Sequence, residues 1–340
     1  MVIGKEALVE EFALHRLGGE HKDNIFSDFT VTLKGDEEQD FLRKLFLKPF
    51  ANMAFTSEFT HAVGLEYNVL HGLCAQIRSG EDLLARSEAI AKHLVDVSKH
   101  HNINGGDLYV AKFSGVQLGN AVYEAVGIYK FDEKEVFIES KQAGGLIELS
   151  MKRGLGNLKP NKAVLVVYTV DTPTLFVIDD NTSTEFWQKD FIDHRPKKDN
   201  VNSTSSVLDL TKSFITEQLP QDYQIAKADQ IDLLNRSVQY FKSHSEFDKQ
   251  EFAQEVFQEE GAIRSFNDYS ERFQESRDVE IGDNFEISSH AVKRQARIFK
   301  SVLKLDKNFH IYIHGDRDRI EQGVDEKGRK FYKIYYDQES

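Results

Sequence analysis

Strand-like segments follow one another between residues 107 and 180, and no crossover helix fits between neighbours. The segments are rich in branched and aromatic residues, which favour strands. Because parallel neighbours need a crossover of a dozen residues or more, this spacing predicts an antiparallel meander. The segments are 107–113, 121–131, 135–140, and the pair "KAVLVVYTV" and "TLFVIDD", which "DTP" joins as a hairpin.

Helical patterns lie before this sheet. Residues 37–48, 66–78 and 81–101 repeat apolar side chains at helical spacing, and Glu81 and Asp82 suit the start of the third helix. The polar stretch 194–206, "HRPKKDNVNSTSS", predicts a linker or exposed loop.

Helical patterns dominate again from this linker to about residue 277, and three short strands end the chain, with turns at "GDRD" and "DEKGR". We therefore predict an α+β fold. Residues 1–200 form an N-terminal α+β domain, and residues 201–340 form a mainly helical C-terminal domain that ends in a basic helix and a small β-meander.

That basic helix is the stretch 290–305, "HAVKRQARIFKSVLKL". At about 100° per residue, its apolar and basic residues separate into adjoining stripes, and Ser288 or Ser289 is placed to cap its start. The basic stripe fits either a solvated helix face or an anion-binding surface. The apolar stripe is Val292, Ala296, Phe299 and Leu303, and the basic stripe is Lys293, Arg297, Lys300 and Lys304, with Arg294 beyond it.

The charge balance limits what these cations can do. The chain of 340 residues carries a formal net charge of −13, which argues against a protein whose whole surface coats nucleic acid. Its one cysteine, Cys74, excludes an internal disulfide and fits a reducing cytoplasm. The first residues lack the apolar core of a secretory signal, and no apolar run approaches the ~18 residues of a membrane span. Polyanion binding must therefore be local.

Two further basic clusters stand out from the acidic background. The stretch 151–162, "MKRGLGNLKPNK", surrounds two glycines but lacks the spacing of a phosphate-binding loop. The stretch "HRPKK" lies in the predicted linker. Each cluster alone is compatible with a solubilising surface, whereas several on one face would suit phosphate contacts. Their cations are Lys152, Arg153, Lys159 and Lys162, and Arg195, Lys197 and Lys198.

One constellation suggests an enzyme instead. Glu139 and Lys141 end a strand-like segment, and Asp132 lies upstream. Metal-dependent nucleases use an acid followed by Glu-x-Lys at a strand end, where carboxylates hold a divalent cation and the lysine helps to activate water. Such a short match arises readily by chance, and "FDEKE" fits a hairpin turn. We therefore predict no catalytic residues, no metal and no cofactor, and keep a nuclease and a protein-interaction scaffold without DNA affinity as alternatives.

The C-terminal tail resembles the 37-kDa nucleoid-associated protein family of bacteria. The resemblance rests on "RSFNDYSERF", "FEISSHAVKRQARIFKSVLKLDKNFHIYIHG", "RIEQGV" and "KFYKIYY". Similar stretches are "EFALHRLGG" near the start, and "EFWQKDFIDHRPKKDN" with "LDLTKSFI" after it. The resemblance implies a cytoplasmic, nucleoid-located protein that associates with double-stranded DNA, and the family carries no catalytic motif to transfer.

Residues and resemblance together predict a non-enzymatic protein that binds double-stranded DNA with low sequence specificity through its basic clusters. Other nucleoid proteins are possible partners, and no membrane partner is expected. The final strand "KFYKIYY" can lie at a sheet edge, where a second copy could pair, so we also predict a homodimer.

Overall fold

The computed structural model describes residues 2–18, 23–53, 55–98, 104–180, 185–277, 279–296, 299, 302–313 and 319–338. The chain divides into two compact units, Met1–Lys197 (unit 1) and Lys198–Ser340 (unit 2). Helices combine with antiparallel strands, which confirms the predicted α+β class.

In its described residues, unit 1 combines one large sheet, one separate hairpin and three α-helices, together with short 3-10 helices and the π-helix Phe186–Ile192. Its helices are α1 (Asp36–Phe46), α2 (Val69–Arg78) and α3 (Leu83–Ser98). Its strands are β1 (Val2–Ile3), β2 (Leu8–Leu17), β3 (Ser57–Phe59), β4 (Gly106–Leu118), β5 (Ala121–Phe131), β6 (Glu135–Ala143), β7 (Leu146–Gly154), β8 (Lys162–Val167), β9 (Thr174–Asp179) and β10 (His194–Pro196). Every strand pair in it is antiparallel, as predicted.

The large sheet has the order β1-β4-β5-β8-β9-β3-β10, and β2 pairs with β4 beside that path. Helix α1 contributes to the core on one face, while α2 and α3 contribute to the core on the other. Strand β8 shows why: Val164 and Val166 point into one core and Ala163 and Leu165 into the other. A strand covered on both faces reads as a continuous apolar run, and "AVLVV" is such a run.

The hairpin of β6 and β7 leaves this sheet and forms a two-stranded sheet of its own. Gly144 and Gly145 connect the strands with φ angles of 56° and 84°. A two-residue turn with both φ angles positive matches the twist of a hairpin, and glycine adopts it without strain. The predicted strand 135–140 therefore exists but does not join the meander.

The stretch 194–206, predicted as a linker or exposed loop, contains the boundary between the two units at Lys197 and Lys198, but most of it is regular structure and not a loop. Residues His194–Pro196 pair with β3, and helix α4 (Asn200–Ser213) starts at Asp199, whose side chain accepts a hydrogen bond from the Asn202 amide. The polar composition was misleading because small hydroxyl side chains are buried here. Thr204 and Ser205 are fully buried, and Thr204 Oγ1 accepts a 3.0 Å hydrogen bond from the Ser288 amide.

In its described residues, unit 2 is mainly helical, and six short strands pair into three two-stranded sheets, of which the last two are hairpins. Its further helices are α5 (Leu219–Asp222), α6 (Lys227–Ser243), α7 (Lys249–Phe257), α8 (Glu260–Arg277) and α9 (Ser289–Gln295). Its strands are β11 (Glu246–Asp248), β12 (Asn284–Glu286), β13 (Val302–Leu305), β14 (Phe309–Tyr312), β15 (Ile320–Val324) and β16 (Lys330–Ile334).

Two apolar clusters hold unit 2 together. The larger is built around phenylalanines, including Phe214, Phe252 and Phe266, and a smaller one joins α6 to the last two hairpins. The end of the chain therefore differs from the predicted three-stranded meander. β13 pairs with β14 and β15 with β16, which gives two hairpins. The predicted turn at "GDRD" lies outside the described residues, whereas the turn at "DEKGR" is present, with Gly328 at φ 77°.

Candidate nucleic-acid interface

The predicted basic helix begins where expected and ends early. Ser288 caps α9, since its side chain accepts a hydrogen bond from the Ala291 amide. Ala291 and Val292 are buried and Lys293 is exposed, so α9 packs through its apolar side as predicted. The helix ends at Gln295, however, and does not run to residue 305.

A strand replaces the second half of the predicted helix. In β13, Leu303 is buried and Lys304 exposed, and "DKN" turns the chain back into β14. Asp306 takes a φ of 51°, a left-handed conformation that Asp tolerates better than most residues in turns. Apolar residues at 299, 303 and 305 fit a helical or a strand period equally well over so short a run. The turn at Asp306, which leads into β14, favours the strand.

The predicted stripe therefore divides between two elements. Lys293 and Arg294 lie on α9, and Lys304 lies on β13 opposite His310, while Arg297 and Lys300 fall outside the described residues. Among the ion pairs between described residues, none involves Lys293 or Lys304.

Arg294 has an unusual environment for an exposed-helix cation. Its guanidinium Nη1 is buried and has no hydrogen-bond partner among the described residues. Burial lowers the pKa of this guanidinium from its ordinary value. A buried donor without a partner is costly, so an anion that accepted from Nη1 would be stabilised there.

The second cluster, 151–162, is split between surface and core. Arg153 and Lys159 are exposed, and Lys152 lies on β7 with its Nζ 3.7 Å from Glu139. Lys162 starts β8 and is buried, with Nζ 2.6 Å from Asp179 Oδ1. That burial contradicts the predicted surface role of Lys162, because its ammonium is engaged inside unit 1.

The third cluster is mostly paired. Arg195 Nε lies 2.8 Å from Glu58 Oε1, and Lys198 forms an exposed ion pair with Glu280. Lys197 Nζ donates to the Thr172 carbonyl at 3.0 Å and to Thr174 Oγ1 at 2.7 Å. These bonds hold the Lys197 ammonium at the start of β9, so it is less available to bind an anion than predicted.

The end of the chain carries a charge asymmetry that the sequence reasoning missed. Residues 288–340 hold 12 Lys and Arg against 8 Asp and Glu, whereas residues 198–287 hold 9 against 19. We call residues 288–340 the basic segment. Lys327 and Lys330 belong to it, and both are exposed. Counting charge in windows along the chain, instead of searching for dense clusters, would have found them.

The candidate nuclease set does not assemble. The Asp132 carboxylate forms an ion pair with the buried Lys130. The backbone amide of Asp132 donates a hydrogen bond to Asn161 Oδ1. Glu139 lies on β6 between two cations, with Lys141 Nζ at 3.2 Å and Lys152 Nζ at 3.7 Å. Two carboxylates that share one cation are needed for the predicted chemistry, and each acid here is instead neutralised by lysine.

One group of described residues has donors of the metal-ligand type. The His244, Glu251 and Glu255 donor atoms lie within 4.8 Å of one another on α7 and at the end of α6. Other contacts account for them: His244 Nε2 lies 3.7 Å from Glu255 Oε1, and the Tyr240 hydroxyl donates to Glu251 at 3.1 Å. The group is separate from the basic segment.

Comparison with known families adds the decisive observation. The family model NA37, nucleoid-associated protein YejK, matches residues 13–340, nearly the whole chain. The chain belongs to this family. No curated protein and no solved structure gave a match.

Membership in NA37 confirms the resemblance seen in the tail motifs and supports a nucleoid-associated role. Such a family also favours a non-enzymatic role. Among the helices in the described ranges, none is both long and apolar enough to cross a bilayer.

Proposed function

We propose that this NA37 protein binds double-stranded DNA in the bacterial nucleoid, with low sequence specificity and without catalysis. The observation that carries the proposal is the pair Lys293 and Lys304, both exposed within a basic segment of net charge +4. Phosphates are the anions that double-stranded DNA presents at regular spacing, and lysine contacts to them carry no sequence information.

The local packing leaves these cations available. Helix α9 buries Val292 and Gln295, and Gln295 Nε2 donates to Asp209 Oδ1 at 3.3 Å, so Lys293 projects from the opposite side. In the β13–β14 hairpin, Leu303 and Ile311 are cross-strand partners in the cluster with α6. Lys304 alternates with Leu303 and therefore points away from α6.

Arg294 adds a second kind of support. Its side chain is half-buried with Nη1 closed to solvent, so a phosphate would meet the accessible part of the guanidinium, and guanidinium–phosphate hydrogen bonds are among the strong charge-assisted ones. The proposed contacts in unit 2 are thus Lys293, Arg294 and Lys304, together with the sequence-predicted Arg297 and Lys300. In unit 1, Arg153 and Lys159 are the exposed candidates. Lys152 and Arg195 in unit 1, and Lys198 in unit 2, are available only if they exchange a carboxylate for a phosphate.

The acidic part of unit 2 limits where DNA can bind. Residues 198–287 carry a net charge of −10, which repels a polyanion. We propose that these acidic surfaces stay away from DNA and leave room for other nucleoid proteins. A homodimer stays a prediction, and the edge of β16 is one candidate surface for it, since β16 pairs only with β15 among the described strands.

A direct binding titration tests the proposal. Fluorescence anisotropy with two duplexes of equal length and unrelated sequence should give similar affinities that weaken steeply as salt rises. A protein-interaction scaffold would show no binding to either duplex at physiological salt. Strong preference for one duplex would replace low-specificity binding with base readout.

A further inference from the structure

The β6–β7 hairpin stands apart from every core in the described part of the chain. Its apolar side chains belong to none of the four core clusters. An isolated two-stranded hairpin is marginally stable in water unless one of its faces packs on something. A further surface that packs on this hairpin would therefore stabilise it.

Cross-strand register sorts its side chains into two different faces. On one face, Val136 pairs with Arg153, Ile138 with Met151, Ser140 with Leu149, and Gln142 with Ile147. The other face carries five of the six charged residues, with Glu139 between Lys141 and Lys152, and also Phe137 and Leu146 near its ends. The hairpin is thus amphipathic, although within the described residues no core cluster includes it.

The first face, which we call the apolar face, is strongly exposed. Its members Val136, Ile138, Ile147, Leu149 and Met151 are exposed by 54%, 69%, 77%, 70% and 77%. Five side chains of this size and exposure present roughly 600 Å² of surface, at the upper end of the largest apolar patch on a typical monomer. Stable interfaces bury about 600–1,000 Å² on each partner, so this face reaches the lower end of that range.

Charge indicates which partner fits. The hairpin 135–154 holds three acidic and three basic residues, so it is neutral within a chain of net charge −13. The acidic parts of two copies repel each other, and the hairpin is a region where two copies can approach without that penalty. A nucleic acid would require an excess of cations. The apolar face carries one cation, Arg153 at its end.

We propose that two copies of the chain form a dimer by packing the apolar faces of their β6–β7 hairpins against each other. A two-fold contact of this kind is isologous, so the same patch serves on both copies. Sheets that pack face to face lie about 10 Å apart and interdigitate their side chains. Ser140, in the middle of the apolar face, is then covered, and Ser150 on the opposite face stays open. The inference does not rest on DNA binding.

A matched pair of substitutions on neighbouring residues tests the interface. Leu149→Lys places a cation on the apolar face, and Ser150→Lys places the same cation on the charged face one residue away. Light scattering without DNA should give twice the 39.0 kDa chain mass for the wild type and for Ser150→Lys, and the single-chain mass for Leu149→Lys. A monomeric wild type across micromolar concentrations overturns the proposal, and so does a Leu149→Lys dimer, which would point to another surface such as the β16 edge.

Thiol labelling gives a readout that leaves the interface chemistry almost intact, and it decides the matter if Leu149→Lys fails to fold. The native Cys74 is buried, which raises the pKa of its thiol to about 12 and keeps it unreactive. In the dimer, maleimide should label Ser140→Cys at least about tenfold more slowly than Ser150→Cys, because labelling needs an accessible thiol. Equal labelling rates contradict a covered apolar face. Protection of Ser140→Cys that persists on dilution to the monomer would also overturn the dimer, since cover would then come from within one chain.

Discussion

Lys162 on β8 and Asp179 on β9 are cross-strand partners, with Nζ 2.6 Å from Oδ1 and side-chain exposures of only 5% and 6%. Asp179 also accepts a 3.0 Å hydrogen bond from Gln188 Nε2 through its second oxygen. The pair is a buried polar network inside unit 1. It removes Lys162 from any surface that meets DNA and gives it a structural role.

We expect Lys162→Met to lower the free energy of unfolding by about 3–5 kcal/mol, because it leaves the buried Asp179 carboxylate without its cation. Urea denaturation measures the effect, and DNA affinity of the folded variant should equal that of the wild type. Lys159→Met, at an exposed position three residues away, should change stability by less than about 0.5 kcal/mol. A stable Lys162→Met variant with weakened DNA binding would return Lys162 to the interface.

Phe299→Ala separates the fold of the basic segment from its charge. Phe299 is 6% exposed and belongs to the main apolar cluster of unit 2, so its truncation should lower the free energy of unfolding by about 3–5 kcal/mol. Phe309→Ala is the matched control, since that ring is 62% exposed and its loss should have little effect. Equal denaturation midpoints for the two variants would contradict the described packing.

Stability should fall on mild acidification because of a buried histidine. His15 Nδ1 accepts from the Ser27 amide at 3.1 Å and its Nε2 lies 2.9 Å from Ser87 Oγ. Burial lowers the pKa of His15, despite the opposing effect of Glu88. The unfolded chain therefore takes up a proton below about pH 6.5 that the folded chain resists, and unfolding becomes easier as pH falls.

Denaturation midpoints between pH 7.5 and 5.5 measure that dependence. The same series on His15→Gln should show a flatter decline, because this variant lacks one of the groups that resist protonation. Burial also lowers the pKa of His93 and His194, so part of the decline should persist. A steeper decline in His15→Gln would show that His15 is not a source of the acid sensitivity.

The nuclease alternative predicts cleavage, and the geometry around Glu139 predicts none. With Lys141 and Lys152 beside Glu139 and Asp132 engaged by Lys130, the carboxylates are not free to hold a divalent ion together. Supercoiled plasmid incubated with the protein and magnesium or manganese should stay intact on a gel. Metal-dependent nicking that disappears in Glu139→Ala, but persists in Glu148→Ala, would establish the nuclease instead.

The sequence predicted β4, β5, β6, β8 and β9 because their patterns have one interpretation, whereas β2 and β7 were not predicted. Residues 121–131 match β5, and β8 ends at Val167, within the predicted strand 162–170. The chain after residue 290 had two interpretations. Val292, Phe299 and Leu303 are all buried, as their helical stripe predicted, yet they lie on α9, at the following turn and on β13. Periodicity predicted which residues are buried, but it did not predict whether their backbone is helix or strand.

Other features depend on contacts that no local pattern records. The burial of Lys162 needs Asp179, seventeen residues away, and the capture of Lys197 needs threonines on β9 and in the turn before it. The apolar face of β6–β7 looked like an ordinary sheet face, because a strand sequence does not reveal whether a neighbour covers it. Cation density identified candidate phosphate contacts, but only tertiary pairing distinguishes an available cation from an engaged one.

The central claim is that Lys293 and Lys304 contact DNA phosphates, and the salt dependence of binding tests it most directly. Each phosphate contact contributes about −0.9 to the slope of log affinity against log salt, so Lys293→Gln/Lys304→Gln should flatten the slope by roughly 2. The control Lys242→Gln/Arg264→Gln removes two exposed cations from the acidic part of unit 2 and should leave the slope unchanged. Both variants should unfold at the wild-type denaturant concentration, since exposed cations contribute little to stability. A wild-type slope in the folded Lys293→Gln/Lys304→Gln variant would contradict the account and remove α9 and β13 from the DNA interface.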